Sequence, residues 1–157
     1  MKKLLSIIIS LFILTGISTA QEYAPIKDVD ILKQHEEFLW SKYPHLNAKA
    51  NIQKVQAVND KHSLIYVKAQ GEQFQILVNK GLQDMMLIAE YRKIRTTKVP
   101  QIVLDNFMED HSKAVIKSAF KVKDPHSEPY YALLYKKDGK KSRVHYTDMG
   151  RKKKSPF

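Results

Sequence analysis

Between Ala48 and Ile94 apolar and polar residues alternate in four short runs: Ala48 to Val58, Ser63 to Ala69, Glu72 to Asn79 and Met85 to Ile94. The breaks between them hold Asn59-Asp60, Gln70-Gly71 and Lys80-Gly81. Alternation at period two puts the apolar side chains on one side of an extended chain, and Asn, Asp and Gly supply the reversals. The stretch therefore predicts an antiparallel meander with one face to be covered. A cover precedes it. Asp28 to Tyr43 predicts a helix that Asp28 or Asp30 can cap, with Ile31, His35, Phe38, Leu39 and Lys42 on one face and Pro44 ending it.

The pattern then starts again. Pro100 stands where a first helical position belongs, and Leu104, Phe107, Met108 and His111 follow at helical spacing in Ile102 to His111. Alternating runs return at Ala114 to Val122, Pro129 to Lys136 and Lys141 to Thr147, with turns at Asp124-Pro125 and Asp138-Gly139. A shift of 68 residues lays Lys68 on Lys136, Gly71 on Gly139, Ile65 on Leu133, Ile76 on Val144 and Val78 on Tyr146, while Phe38 and Phe107 need 69. The sequence thus predicts an α+β fold of two repeats, each one helix plus a four-stranded antiparallel meander. The sheets should join side by side into one curved sheet with both helices on one face. Arg95 to Val99 is the joint, too short to separate two free domains.

A helix ending in Lys42-Tyr43-Pro44, followed by hairpins of alternating apolar residues and a closing glycine, resembles the PepSY-like domains of exported Bacteroidetes proteins. Their fold is akin to the β-lactamase inhibitor proteins. The second copy matches at Val99-Pro100 and Lys137-Asp138-Gly139-Lys140, and departs where Asp110-His111-Ser112 replaces Lys-Tyr-Pro. Its last strand is shortened into Gly150 to Lys154. The resemblance covers Ile31 to Lys154 and implies a protein-interaction or peptidase-modulating role without catalysis.

The N-terminus predicts export. Met1-Lys2-Lys3 is a basic start, Leu4 to Ile17 an almost wholly apolar run, and Ser18-Thr19-Ala20 the small residues that precede a cleavage after Ala20. The run is shorter than the ~20 residues that span a bilayer core, so no transmembrane segment is expected after cleavage. The predicted divisions are 1–20 leader, 21–95 first repeat, 96–154 second repeat and 155–157 tail, in the periplasm or secreted. The sequence holds no cysteine, which excludes a thiol-linked lipid anchor, disulfides and thiolate metal sites.

No spacing carries catalysis. Of His35, His45, His62, His111, His126 and His145, no two stand four apart on a helix, and the glycines are too scattered for a phosphate loop. No Gly-x-Ser-x-Gly occurs, and the neighbours Glu36-Glu37 and Glu109-Asp110 diverge by about 100° on a helix. We expect no enzyme, metal or cofactor.

Charge is placed rather than spread. The net charge is +11, and Lys136 to Phe157 alone hold nine basic and two acidic residues. Lys140, Lys141, Arg151, Lys152, Lys153 and Lys154 form a basic patch, read either as a solvated terminus or as a dock for an anionic envelope component. Nucleic acid does not fit an exported protein. If Phe74, Ile76 and Val78 face the helix, then Gln75 and Leu77 point the other way, as do Leu64, Tyr66 and Lys68, and in the second copy Arg143 and His145. These seven residues are the expected ligand-binding face, offered to a protein or peptide. A monomer and a homodimer remain equally open.

Overall fold

The computed structural model describes residues 25–44, 50–80 and 84–156. The leader, His45, the first residues of the run from Ala48 and the Gly81 turn lie outside the described residues.

Helix α1 spans Val29–Lys42 and is followed by strands β1 (Ala50–Ala57), β2 (His62–Ala69), β3 (Glu72–Lys80) and β4 (Met85–Ile94). A 3₁₀ turn at Thr96–Lys98 leads into α2 (Gln101–Asp110), then β5 (Val115–Asp124), β6 (Ser127–Lys137), β7 (Lys140–Tyr146) and the two-residue β8 (Lys152–Lys153). The eight strands form one antiparallel sheet in sequence order, with β4 paired to β5 from Glu90↔Lys123 to Ile94↔Ala119. No described helix is long and apolar enough to cross a membrane.

Local chemistry sets the element ends. The Asp28 carboxylate accepts the N–H groups of Asp30 and Ile31 at 3.0 and 3.1 Å and so caps α1. The two hairpin turns are twins: Gln70 and Gly71 have φ of 52° and 81°, Asp138 and Gly139 have 50° and 80°. Two consecutive left-handed residues make the turn whose twist matches a right-twisted hairpin, which is why a glycine stands second in each. Pro100 is the N-cap of α2, one residue ahead of its expected place.

Packing divides into three clusters. Leu39 of α1 packs with Val55, Ile65, Val67, Phe74, Ile76 and Val78. Val103 and Phe107 of α2 pack with Ala119, Leu133, Tyr135 and Tyr146. The expected α2 face is corrected here, because Met108 is exposed and Val103 takes the inward position. The third cluster joins Leu64, Leu77, Ala89, Tyr91, Phe120, Val122, Tyr130 and Ala132. Neighbours along a strand point to opposite faces, so Leu64 and Leu77 lie on the other side of the sheet from Ile65 and Ile76. Phe120 and Ala132 likewise lie opposite Ala119 and Leu133. Among the described residues no helix residue belongs to this third cluster, and the sheet buries it by curling on itself.

The C-terminal segment is folded rather than frayed. Tyr146 donates its hydroxyl to Asp110 at 2.8 Å, Lys152 pairs with Asp110 at 3.1 Å, and Asn106 donates to the Gly150 carbonyl at 2.9 Å. Asp110 thus ties α2 to β7 and β8. Gly150 has φ of 77°, and a β-carbon there would meet the Ile102 carbonyl oxygen at 3.0 Å.

Candidate functional site

The seven expected binding residues do lie on one side of the sheet, but that side is concave and its centre is filled. Leu64 and Leu77 are 0% exposed and His145 2%. These three are interior residues and cannot touch a ligand, which corrects the expectation of an open face. A flat sheet would have left them in water; here β2, β3 and β4 fold over toward β5 and β6, and the third cluster is the result. Tyr66, Gln75 and Arg143 are half-buried and Lys68 is exposed, so the accessible part of the set is a rim around an apolar floor.

Arg143 marks the curvature. Its Nη2 donates to Gln75 Oε1 at 2.9 Å, although β7 and β3 are separated by three strands. Its guanidinium carbon stands 5.1 Å from the centre of the Tyr91 ring and 5.6 Å from that of Phe120. Contact with ring faces contributes on the order of 0.5–2 kcal/mol for a cation partly withdrawn from water. The His145 ring lies 6.0 Å from Tyr91 and 5.7 Å from Tyr130. Lys153 sits over Tyr130 at 4.9 Å and Lys54 over Tyr66 at 4.3 Å. Lys93 Nζ donates to Gln73 Oε1 at 2.9 Å.

His145 does not act as a charge switch near neutral pH. Burial, then the charges of Arg143 and Lys153, hold the His145 imidazole down to about 3. Burial also raises the Tyr91 hydroxyl well above its usual range and pushes Tyr130 up to about 12. His145 Nε2, Arg143 Nη1 and the hydroxyls of Tyr91 and Tyr130 are buried without a hydrogen-bond partner among the described residues. What the arrangement offers a ligand is permanent positive charge and aromatic surface.

The basic patch is dispersed by the fold. Lys140 and Lys141 begin β7 beside the Asp138-Gly139 turn, whereas Lys152 and Lys153 form β8 at the opposite end of that strand. Arg151 and Lys154 flank β8 and are exposed. Grooves also run along both sides of α1. One, of about 560 Å³, is bordered by Leu32, Trp40 and Ile52; the other, of about 960 Å³, by Phe38, Lys80 and the buried His35. The described residues bring no three His, Asp or Glu side chains together in a way that could hold a metal ion.

Lys93, Tyr91 and Phe120 were missed by sequence reasoning. Carrying the same alternation into Met85–Ile94 and Val115–Asp124 would have shown Ala89, Tyr91, Phe120 and Val122 on the supposed open side, and so that it could not be open.

No family model and no curated protein matches the chain. Solved structures do. A Bacteroides eggerthii protein provisionally described as periplasmic superposes with a TM-score of 0.53 at 16% identity, over 74% of this chain and 81% of that one. A DUF2874 family protein of Bacteroides uniformis gives 0.51 at 14%, over 81% and 86%. A BLIP-like protein of Bacteroides fragilis gives 0.50 at 15%, over 78% and 82%. The chain thus has the α+β fold of this group, with two α-helices and one eight-stranded antiparallel sheet among the described residues.

Proposed function

We propose that this chain is an exported, non-enzymatic binding module that holds a protein or peptide on the rim of its concave sheet face, and modulates a peptidase or another envelope enzyme by doing so. The single observation behind this is the ring of Tyr66, Lys68, Gln75 and Arg143 around a sealed apolar floor. A rigid, preformed concavity with aromatic and cationic side chains at its edge suits capture of a convex partner. The fold shared with a BLIP-like protein supports the same reading. We further read the chain as two PepSY-like repeats, 21–95 and 96–154, with both helices on one face of the sheet. The leader at Met1 to Ala20 and the provisional placement of one structural neighbour support a periplasmic or secreted site of action.

The competing reading, a polyanion binder acting through Gly150 to Phe157, is less favoured because Lys152 and Lys153 are engaged with Asp110 and Tyr130. The test is Tyr66→Ala, at a half-buried rim position, with a thermal melt run beside it. A partner captured by the parent protein should be lost from the variant while the fold persists. Capture that survives Tyr66→Ala but ends on removal of Gly150 to Phe157 would transfer the function to the tail.

A further inference from the structure

We infer that the ligand held by the rim is an acidic, extended protein segment; this rests on the binding reading above and names the chemistry of its partner. The concave rim gathers cations from several strands. Lys68 shares a face with Leu64 and Tyr66, Lys93 with Tyr91, Lys136 with Leu134, and Arg143 with His145. Lys54 joins them over the Tyr66 ring. The carboxylates Glu72 and Glu90 alternate to the helix-covered side, where both meet Arg92, at 3.6 and 4.0 Å. On the concave side Glu128 stands at the far end of β6, eight residues from Lys136, or roughly 26 Å of extended chain. Asp124, whose charge acts on the Tyr130 hydroxyl, lies at the same hairpin end as Glu128.

Two of these cations are held by neutral oxygens. Lys93 donates to Gln73 and Arg143 to Gln75, and Arg143 Nη1 has no hydrogen-bond partner among the described residues. A ligand carboxylate is a stronger acceptor than an amide oxygen for both. At the exposed Lys93 it would displace Gln73, which loses little by returning to water, while Arg143 keeps its bond to Gln75. Curvature chooses the kind of anion. The cations come from β1, β2, β4, β6 and β7 and stand around a filled, curved face, which a narrow strand or loop can follow more closely than a flat bilayer surface.

The experiment is fluorescence anisotropy of the purified protein with a labelled decapeptide of alternating glutamate and serine, beside a lysine-serine decapeptide. Lys68→Glu/Lys93→Glu is compared with Lys121→Glu/Lys123→Glu, which makes the same charge change on the opposite face. The acidic peptide alone should bind, and the first double variant should weaken it about ten-fold or more while the second changes it far less, as expected where opposed charges face one another. Equal losses in both variants would show general attraction to a basic protein and overturn the inference. So would tighter binding to vesicles of equal parts phosphatidylglycerol and phosphatidylcholine, lost in the first double variant. No preference for the acidic peptide, with Tyr66-dependent capture intact, would overturn the charge inference and leave the binding reading standing.

Discussion

Arg143 on β7 and Gln75 on β3 are joined by a 2.9 Å hydrogen bond across three intervening strands. Four steps at about 4.8 Å would separate them by roughly 19 Å in a flat sheet. Two side chains reaching toward each other close that distance only if the sheet bends. Register shifts at Ile52/Lys54, Leu77/Val78, Ile116/Ser118 and Val122/Asp124 supply the bends, since an extra residue on one strand increases local twist. In a double-mutant cycle, Arg143→Ala and Gln75→Ala should show a coupling of about 1–2 kcal/mol in urea melts, typical of a hydrogen bond to a charged group. Full additivity would mean that the contact does not hold the curve.

Leu64 and Leu77 fill the concave floor, so Leu77→Ala should cost about 2–5 kcal/mol by cavity formation, whereas Lys68→Ala on the same face should stay within about 0.5 kcal/mol. Chemical denaturation of the two variants checks this. Similar small effects from both would return the face to solvent.

Gly150 and Gly71 share a left-handed backbone but differ in surroundings. A β-carbon at Gly71 meets nothing within 4 Å, while at Gly150 it meets Asn106 Nδ2 at 2.5 Å and the Ile102 carbonyl at 3.0 Å. Gly71→Ala should therefore cost about 1 kcal/mol from conformation alone, and Gly150→Ala about 2–3 kcal/mol, adding the strain of moving α2. Thermal melts should rank them in that order.

His145 is neutral in the fold down to about pH 3, below its ordinary 6.5, so the unfolded chain takes up a proton first as pH falls. The stability at stake is full above pH 6.5 and is lost progressively between there and the folded value, on the order of a few kcal/mol. Melting of the parent protein should fall from pH 7 to pH 4, and His145→Gln should flatten that fall. His35 and His111, also lowered by burial, leave a residual slope. An unchanged pH profile would show that His145 is not buried neutral.

Asp110 titrates in the same direction but is held charged rather than neutral. The Tyr146 hydroxyl, followed by Lys152, holds its carboxyl below the usual carboxylate range. Tyr146→Phe should cost about 1 kcal/mol at neutral pH, near the low end because Asp110 is partly in solvent. The gap between parent and variant is complete above the ordinary carboxylate pKa and should close as pH falls through the depressed value. A gap that persists in acid would assign the effect to packing.

Much of this fold was legible residue by residue. Asp28 announces α1, the Gln70-Gly71 and Asp138-Gly139 pairs announce two hairpins of one geometry, and Phe74, Ile76 and Val78 announce the helix-facing side, because each is decided within a few residues. The α2 face was harder, since Ile102, Val103, Leu104, Phe107 and Met108 offer apolar positions on every side of a ten-residue helix. A curved sheet was expected, but how tightly it closes on itself was not legible. It depends on bulges that cost one residue of register and on contacts such as Arg143 to Gln75, 68 residues apart. That single omission turned Leu64, Leu77 and His145 from core into supposed ligand contacts, while Tyr66, Lys68, Gln75 and Arg143 keep their place on the rim.

The most direct measurement of the binding account is affinity capture from envelope extract, read by mass spectrometry, with the parent protein, Tyr66→Ala and Lys121→Ala/Lys123→Ala as baits. The account predicts one protein retained by the parent and by the opposite-face variant, and lost from Tyr66→Ala with its fold intact. The same partner on all three baits would contradict binding at the concave rim.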